Sequence, residues 1–324
     1  MSKCKTCLMP DTVPNIQLNE ANICNLCASG KNSKVDYSDT IPKYELLIEN
    51  AKIKNLHYDC IVAYSGGKDS TYVLRKIIKK GLKPLAFTLD NGFVSQTAKG
   101  NIQKVTSCLG IDHIYFTPDR KRLNRIFKVV MDKKLFPKSS MVRVSSVCYI
   151  CITYVNWLAL QFAIEKNCEI IVSGFTHGQV PNAIFLNKPS FLKNTFEQMK
   201  DILSKEVDFD VSKFYPSVDF EKLRNLKIFN VNPMLFEKYD EDKIIKDISE
   251  YGWERPKDTD SCSSNCLINR VGNHFHEKLY GFHPYQYEIS YLIRNGAISI
   301  EEGSKRLNDF VSRSELENLI RQLG

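Results

Sequence analysis

The 324-residue chain has no uninterrupted run of about 18 apolar residues, and no apolar stretch follows its start, Met1-Ser2-Lys3-Cys4-Lys5. On sequence this excludes a membrane-spanning helix and a secretory leader, and it predicts a cytoplasmic protein with no membrane partner. Internal repeats and low-complexity segments are absent, which excludes a solenoid or a long disordered tail. A strong excess of one charge is missing too. The formal net charge is +8, from 45 basic and 37 acidic residues. Basic clusters such as Lys76 to Lys83 and Arg120 to Arg125 read as solvated helix faces before they read as a nucleic-acid or acidic-carrier surface.

What remains is an ordinary globular composition. With 43% apolar residues, the chain is long enough for one large domain with appendages, or for two domains. Cysteine is the informative residue. There are 11, and eight fall in close pairs: Cys4/Cys7, Cys24/Cys27, Cys148/Cys151 and Cys262/Cys266. In a cytosolic chain such pairs point to metal or redox chemistry before structural disulfides. Cys60, Cys108 and Cys168 lie in or beside apolar patterns and read as buried small hydrophobes.

The pattern is organised around Tyr64-Ser65-Gly66-Gly67-Lys68-Asp69-Ser70-Thr71, which follows the apolar run Ile61-Val62-Ala63 and precedes a helical pattern. A strand passing through small residues into a helix start offers several free backbone N–H groups where the helix dipole favours negative charge. Gly66 and Gly67 let the backbone approach an anion, Ser65 and Ser70 add hydroxyls, and Lys68 adds a point charge. Asp69 falls near the N-cap or first turn. The spacing G-x-x-x-x-G-K-[ST] is absent, which excludes the Walker type of phosphate loop.

The Ser65-Gly66-Gly67-Lys68-Asp69-Ser70 string resembles the PP-loop of the ATP-pyrophosphatase superfamily, whose members release pyrophosphate and leave AMP on a substrate oxygen. The resemblance implies ATP with magnesium as cofactor, held by Ala63, Tyr64, Ser65, Gly66, Gly67, Lys68, Asp69 and Ser70, with Lys68 and Asp69 catalytic.

Residues 1–34 carry Cys4-x-x-Cys7, sixteen intervening residues and Cys24-x-x-Cys27, the spacing of a four-thiolate zinc ribbon. So short a segment needs such a staple, so structural zinc stands ahead of an iron–sulfur cluster or bare thiols. Cys4 to Pro14 followed by Asn22 to Cys27 also resembles the amino-terminal module of the N-acetyl sugar amidotransferases, PP-loop enzymes of nine-carbon and related bacterial sugar pathways.

Residues 35–57 read as a linker helix. Residues 58–235 read as an α/β, doubly wound parallel sheet of the HUP/PP-loop type: strands 59–64, 84–89, 112–117 and 168–173, with helices 70–80, 95–109, 120–134 and 150–166 between them, and a short strand-like run Ile228-Phe229-Asn230-Val231 before Pro233. Ligands bind such sheets at the carboxyl ends of the strands. Asp90 and Asn91 lie at one such end and Gly174 at another, so Asp90 and Gly174 are further nucleotide candidates. His177 reads as a polar contact rather than a general acid or base. Residues 135–147 read as a loop over the site, residues 182–227 are irregular apart from a helix near 190–205, and 236–324 form a helical region. Capping patterns stand at Ser299-x-x-Glu302 and Ser314-x-x-Glu317. The histidines at 274, 276 and 283 fit a helix and turn rather than a metal site.

Cys148-x-x-Cys151 at a helix start suits metal or cluster ligation or disulfide exchange, and the dipole there favours thiolate. Cys262 and Cys266, in a polar loop, supply a third ligand, three of the four thiols then holding a [4Fe-4S] cluster with one iron open. This combination resembles the sulfur-inserting PP-loop enzymes that thiolate tRNA. Their tRNA substrate is not carried over, since the middle and tail look unlike a dedicated RNA-binding domain. The expected reaction is ATP-dependent replacement of an amide or carbonyl oxygen by sulfur on a small-molecule or carrier-protein-bound acyl substrate, with Cys148 and Cys151 catalytic and a sulfur donor as partner. The alternative is acetamidino formation on an N-acetyl sugar with ammonia from a partner glutaminase, since no glutaminase signature is evident in the chain. The third reading is a zinc-ribbon nucleic-acid or nucleotide-binding module. A homodimer stays open.

Overall fold

The computed structural model describes residues 2–29 and 36–324. The boundary between ribbon and linker expected at 34/35 lies outside the described residues. In chain order the elements are α1 (Asn25–Ala28), α2 (Ile41–Ile53), β1 (Cys60–Ala63), α3 (Lys68–Lys79), β2 (Pro84–Leu89), α4 (Gln96–Leu109), β3 (His113–Phe116), α5 (Arg120–Asp132), α6 (Ser146–Lys166), β4 (Ile170–Val172), β5 (Ile184–Leu186), α7 (Pro189–Ser204), α8 (Phe220–Asn225), β6 (Phe229–Val231), α9 (Glu241–Ser249), α10 (Asn269–Tyr280), α11 (Gln286–Arg294), α12 (Ile300–Leu307) and α13 (Arg313–Gln322).

The fold is mixed α/β around a six-stranded sheet of order β3-β2-β1-β4-β6-β5. The pairs β1–β2, β2–β3, β1–β4 and β4–β6 are parallel. Strand alternation divides the interior. Ile61, Leu85, Phe87 and Ile171 face one apolar cluster with α5 and α6, and Cys60, Val62, Ala86, Ile170 and Val172 face the other with α3 and α9. The chain moves from β1 outward through β2 to β3, then returns to β4 on the other side of β1. The carboxyl ends of β1 and β4 therefore flank a topological switch point.

Several expectations need correction. The sheet is not wholly parallel: β5, within the stretch the pattern left irregular, pairs antiparallel with β6. Helix α6 begins at Ser146 rather than 150, because Ser145 is its N-cap and its Oγ accepts the Cys148 N–H at 3.2 Å. Helix α3 begins at Lys68, so both Lys68 and Asp69 sit in its first turn. Helix α13 is capped by Ser312 instead of Ser314. Cys108 is exposed, since the buried residues of α4 stop at Thr106. Finally, α6 is long and apolar enough by length and composition alone to cross a membrane, as the core helix of a globular protein also can be. It packs against β1, β4, α5 and α10, and Ile150, Trp157, Leu158 and Ala163 are among the core residues it contributes.

Candidate functional site

The turn between β1 and α3 is built as the sequence suggests. Gly66 has φ +75°, and a Cβ there would meet Ala98 O at 2.8 Å, so only glycine fits. Gly67 is the N-cap of α3 and supplies no side-chain cap, whereas serine or aspartate oxygens cap α4, α5, α6, α9, α12 and α13. The first N–H groups of α3 are thus left for another partner. Ser65 and Ser70 lie together, their hydroxyls 3.1 Å apart, and Thr71 Oγ1 donates to Gly67 O at 2.8 Å. Tyr64 is buried and its hydroxyl meets Thr71 at 3.3 Å, while Ala63 ends β1. Gly174 closes the site from β4: a Cβ would stand 2.8 Å from Ser70 N and Cα.

Lys68 and Asp69 pair with each other at 2.9 Å, and Tyr239 donates to Asp69 at 3.4 Å. Burial opposes the Lys68 charge, yet Asp69, Tyr239 and Glu241 outweigh it and hold its pKa well above the lysine value. Asp90 is committed elsewhere. It takes ion pairs from Lys99 at 3.1 Å and Arg120 at 3.3 Å and accepts the Gly92 N–H, and it lines a different groove with Lys99 and Tyr115.

The segment 253–267 brings distant residues onto this turn. Trp253 Nε1 donates to Gly66 O at 3.0 Å, the Ser95 N–H bonds Asn265 O at 2.9 Å, and Val94 forms a bridge with Cys266. Asp260 shapes the bend by accepting the N–H groups of Cys262 and Ser263, both at 2.8 Å. As a result Ser264 Oγ accepts the Lys68 N–H at 3.1 Å, across 196 residues. A side-chain oxygen already sits where an oxygen of a bound anion would.

A cavity of about 530 Å³ opens beside the turn. Its lining includes Ser65, Asn91, Cys148, Cys151 and Cys266, together with the loop 139–145. Asn91 Nδ2 reaches both Cys151 Sγ, at 3.5 Å, and Cys266 Sγ, at 3.6 Å. Cys148 Sγ donates to Asn269 Oδ1 at 3.3 Å, and Tyr285 donates to the same oxygen at 3.1 Å. Cys262 is not part of this group: its thiol donates to Arg306 O, outside the cavity. Burial pushes Cys148 up to about 12, Cys151 well above the usual thiol value, and Cys266 upward. The thiolate expected from the helix dipole at Cys148 is therefore outweighed by desolvation, and the bare thiols are protonated at neutral pH.

The amino-terminal cysteines form a separate centre. Among the described residues, the one group of three or more potential ligands whose atoms all lie within 4.8 Å of one another is Cys4, Cys7, Cys24 and Cys27. The Cys4–Cys27 sulfurs are 3.8 Å apart and the Cys7–Cys24 sulfurs 3.7 Å. A tetrahedral ion with Zn–S bonds of about 2.3 Å requires about 3.8 Å between its sulfurs, so the four thiols fit zinc. Burial resists the Cys4 thiolate, but N–H groups of Cys24, Thr6 and Cys7 hold its pKa at about 7, while burial takes Cys7 to about 11 despite Arg294. Arg294 donates to Cys7 Sγ at 3.4 Å, and Gln286 donates to Leu8 O at 3.0 Å, so α11 carries this centre's outer contacts.

Two residues of the site gave no signal in the sequence. Glu288 on α11 accepts from Thr176 at 3.0 Å and from Gln179 at 2.9 Å, and burial raises its pKa to about 7 against the pull of Lys68. Asn269 sits at the start of α10, holding Cys148 on one side and Asp260 on the other. The Asp-x-Cys-Ser spelling at Asp260 is a local turn signal. Glu288 has no local signal. His177 makes the polar contact expected of it, meeting Glu237 O at 2.8 Å and stacking on Tyr291. His276 and His283 are buried, and burial lowers their pKa values to about 3 and about 4.

No protein-family model matches the chain. An uncharacterized protein of Methanocaldococcus jannaschii is 23% identical over 325 residues, covering 99% of each chain. The solved structure of a predicted subunit of a tRNA methyltransferase from the same organism aligns with 70% of this chain and 91% of its own. Its identity is 19% and its TM-score 0.33, a level of likeness that carries no argument about this chain.

Proposed function

We propose that the chain is an ATP pyrophosphatase of the PP-loop type that activates an amide or carbonyl oxygen as its adenylate and replaces it with sulfur. One observation supports this above the others. The segment that lays Ser264 over the phosphate-binding turn also carries Cys266 to the cavity of Cys148 and Cys151, beside Ser65.

In this reading MgATP places its phosphates on the free N–H groups at the start of α3, displacing Ser264 Oγ. Ser65 and Ser70 add hydroxyl donors, and Lys68, kept protonated by Asp69, Tyr239 and Glu241, supplies fixed positive charge as pyrophosphate leaves. The substrate oxygen attacks the α-phosphorus and the bond to pyrophosphate breaks. Hydrosulfide then forms the C–S bond, the C–O bond breaks, and the oxygen departs in AMP. For an amide, the sum is amide, ATP and hydrosulfide giving thioamide, AMP and pyrophosphate, with the hydrosulfide proton ending on pyrophosphate.

Cys148, Cys151 and Cys266 are the residues that would hold a [4Fe-4S] cluster. The three thiols line one open cavity and are not among the ligand atoms that all close within 4.8 Å of one another, which leaves room for a group larger than one ion. Such a cluster, bound by three thiolates, supplies an iron site that accepts sulfide. The chain's own part is to orient the thiols through Asn91 and Asn269 and to keep water out with Val147, Ile152 and Phe175.

The test is anaerobic purification followed by visible absorption, iron and sulfide analysis, and pyrophosphate release with ATP, hydrosulfide and amide acceptors. The expected protein is brown, carries about four irons, and needs sulfide for AMP formation. A colourless, iron-free protein that is active with ammonia from a glutaminase is an amidotransferase. A protein that never releases pyrophosphate but binds RNA with steep salt dependence belongs to the third reading.

A further inference from the structure

Arg143 is the one charged residue among the described residues lining the thiol cavity. The remaining walls are apolar or neutral: Val142, Val144, Val147, Ile152, Val155 and Phe175 form the greasy part, and serines, Asn91 and Asn269 form the polar part. The half-buried guanidinium stacks 4.2 Å over the Tyr287 ring, and its Nε is buried without a hydrogen-bond partner. Among the described residues no carboxylate forms an ion pair with it. The unpartnered Nε is shared with Arg270, but Arg270 is ion-paired with Asp309 and Glu315, and Arg306 with Glu241 and Glu302, so the missing counter-ion is what sets Arg143 apart.

A planar cation held half-buried on an aromatic face, with no ion-pair partner among the described residues, is set up to receive an anion in two-pronged fashion. Nucleotide phosphate is not the natural candidate, because the start of α3 and Lys68 already answer it on the other side of Ser65. Nor do the thiols serve: Cys151 and Cys266 are met by Asn91, and Cys148 donates to Asn269.

We infer that Arg143 binds a carboxylate of the acceptor, so that the substrate class is an amide with an apolar body and a carboxylate group, the apolar walls spanning the distance between Arg143 and the thiols. A cavity of about 530 Å³ is sized for a small molecule or the end of a longer acyl chain. The reacting group in this statement rests on the amide-activating reading above. The anion site does not.

The experiment compares binding of N-acetyl amino acids, graded from alanine to phenylalanine, with binding of their methyl esters. It uses the full chain and calorimetry, on wild type, Arg143→Gln and Arg143→Lys. At least one acid is expected to bind about tenfold or more tighter than its ester. In Arg143→Gln the ratio falls to near one, and Arg143→Lys recovers part of it. The inference is overturned if no acid outbinds its ester, or if Arg143→Gln keeps the preference. It is equally overturned if Arg143→Gln loses affinity for a non-hydrolysable ATP analogue while acid and ester still differ. An acid preference in a protein that never releases pyrophosphate leaves the anion site standing and removes the amide chemistry instead.

Discussion

The two cysteine centres use the same side chain to opposite ends. At Cys4, Cys7, Cys24 and Cys27 the sulfurs close on one another at 3.7 and 3.8 Å, leaving room for one tetrahedral ion and no fifth ligand. At Cys148, Cys151 and Cys266 the thiols stand around a cavity, Asn91 bridging Cys151 and Cys266 and Asn269 holding Cys148. A closed set of ligands stabilises a fold, and an open set leaves a position for chemistry. Helix α11 touches both: Gln286 and Arg294 hold the closed centre, while Glu288 holds the loop Thr176–Gln179 beside the open one.

The largest effect separates the two as structural and functional. Cys24→Ser is expected to lose the zinc and to destabilise the chain by several kcal/mol, a fall in Tm of roughly 10 °C. On the proposed function, Cys266→Ala is expected to keep zinc and to stay within about 1 kcal/mol of wild type while losing the iron and the sulfur transfer that reading assigns to the cavity. Cys262→Ala is expected to leave the metal content at wild-type level, because its thiol lies outside the cavity. Metal analysis and melting of the three variants check this. If Cys266→Ala melts as early as Cys24→Ser, the contrast between a closed and an open centre fails.

A smaller effect tests whether α11 couples the centres. Glu288 moves from 4.5 in the unfolded chain to about 7 in the fold. The folded state thus binds the extra proton between those values. Its stabilising influence is full below pH 4.5 and is lost as pH rises to about 7, a change of about 3 kcal/mol. Glu288→Gln removes that titration. Its Tm relative to wild type is therefore expected to be higher at pH 8 than at pH 5, with zinc content unchanged. A zinc content that falls with the substitution would make the two centres one cooperative unit.

The difference between the centres also explains what the sequence made legible. The closed centre is local, two C-x-x-C turns within a short segment, and its spacing alone predicts its geometry. The β1–α3 turn is equally local. The open centre depends on a contact across more than a hundred residues. Cys262 and Cys266 are equivalent by spacing, and only the Asp260 bend and the Val94 bridge turn Cys266 toward Cys148. Strand β5 escaped because three half-exposed residues carry no alternation and its partner lies some forty residues on. The start of α6 was misplaced because Ser145-Ser146 looks like loop, although Ser145 is a cap. Glu288 has no local signature, since its pKa is a tertiary property.

The smallest effect concerns the hydroxyl where the open centre meets the phosphate turn. Ser264 Oγ accepts the Lys68 N–H that the glycine cap leaves without a side-chain partner, so on the proposed function nucleotide displaces it. Removing the hydroxyl takes away a competitor worth about 1 kcal/mol, and Ser264→Ala is expected to bind ATP up to about fivefold tighter. Calorimetric titration reads this directly. Weaker binding would mean that the hydroxyl rotates to donate to the phosphate, making the thiol-bearing loop part of the cradle rather than its cover. Either sign ties the loop to the turn. Unchanged affinity would separate them, leaving the open centre and the nucleotide site as neighbours with no energetic connection through Ser264.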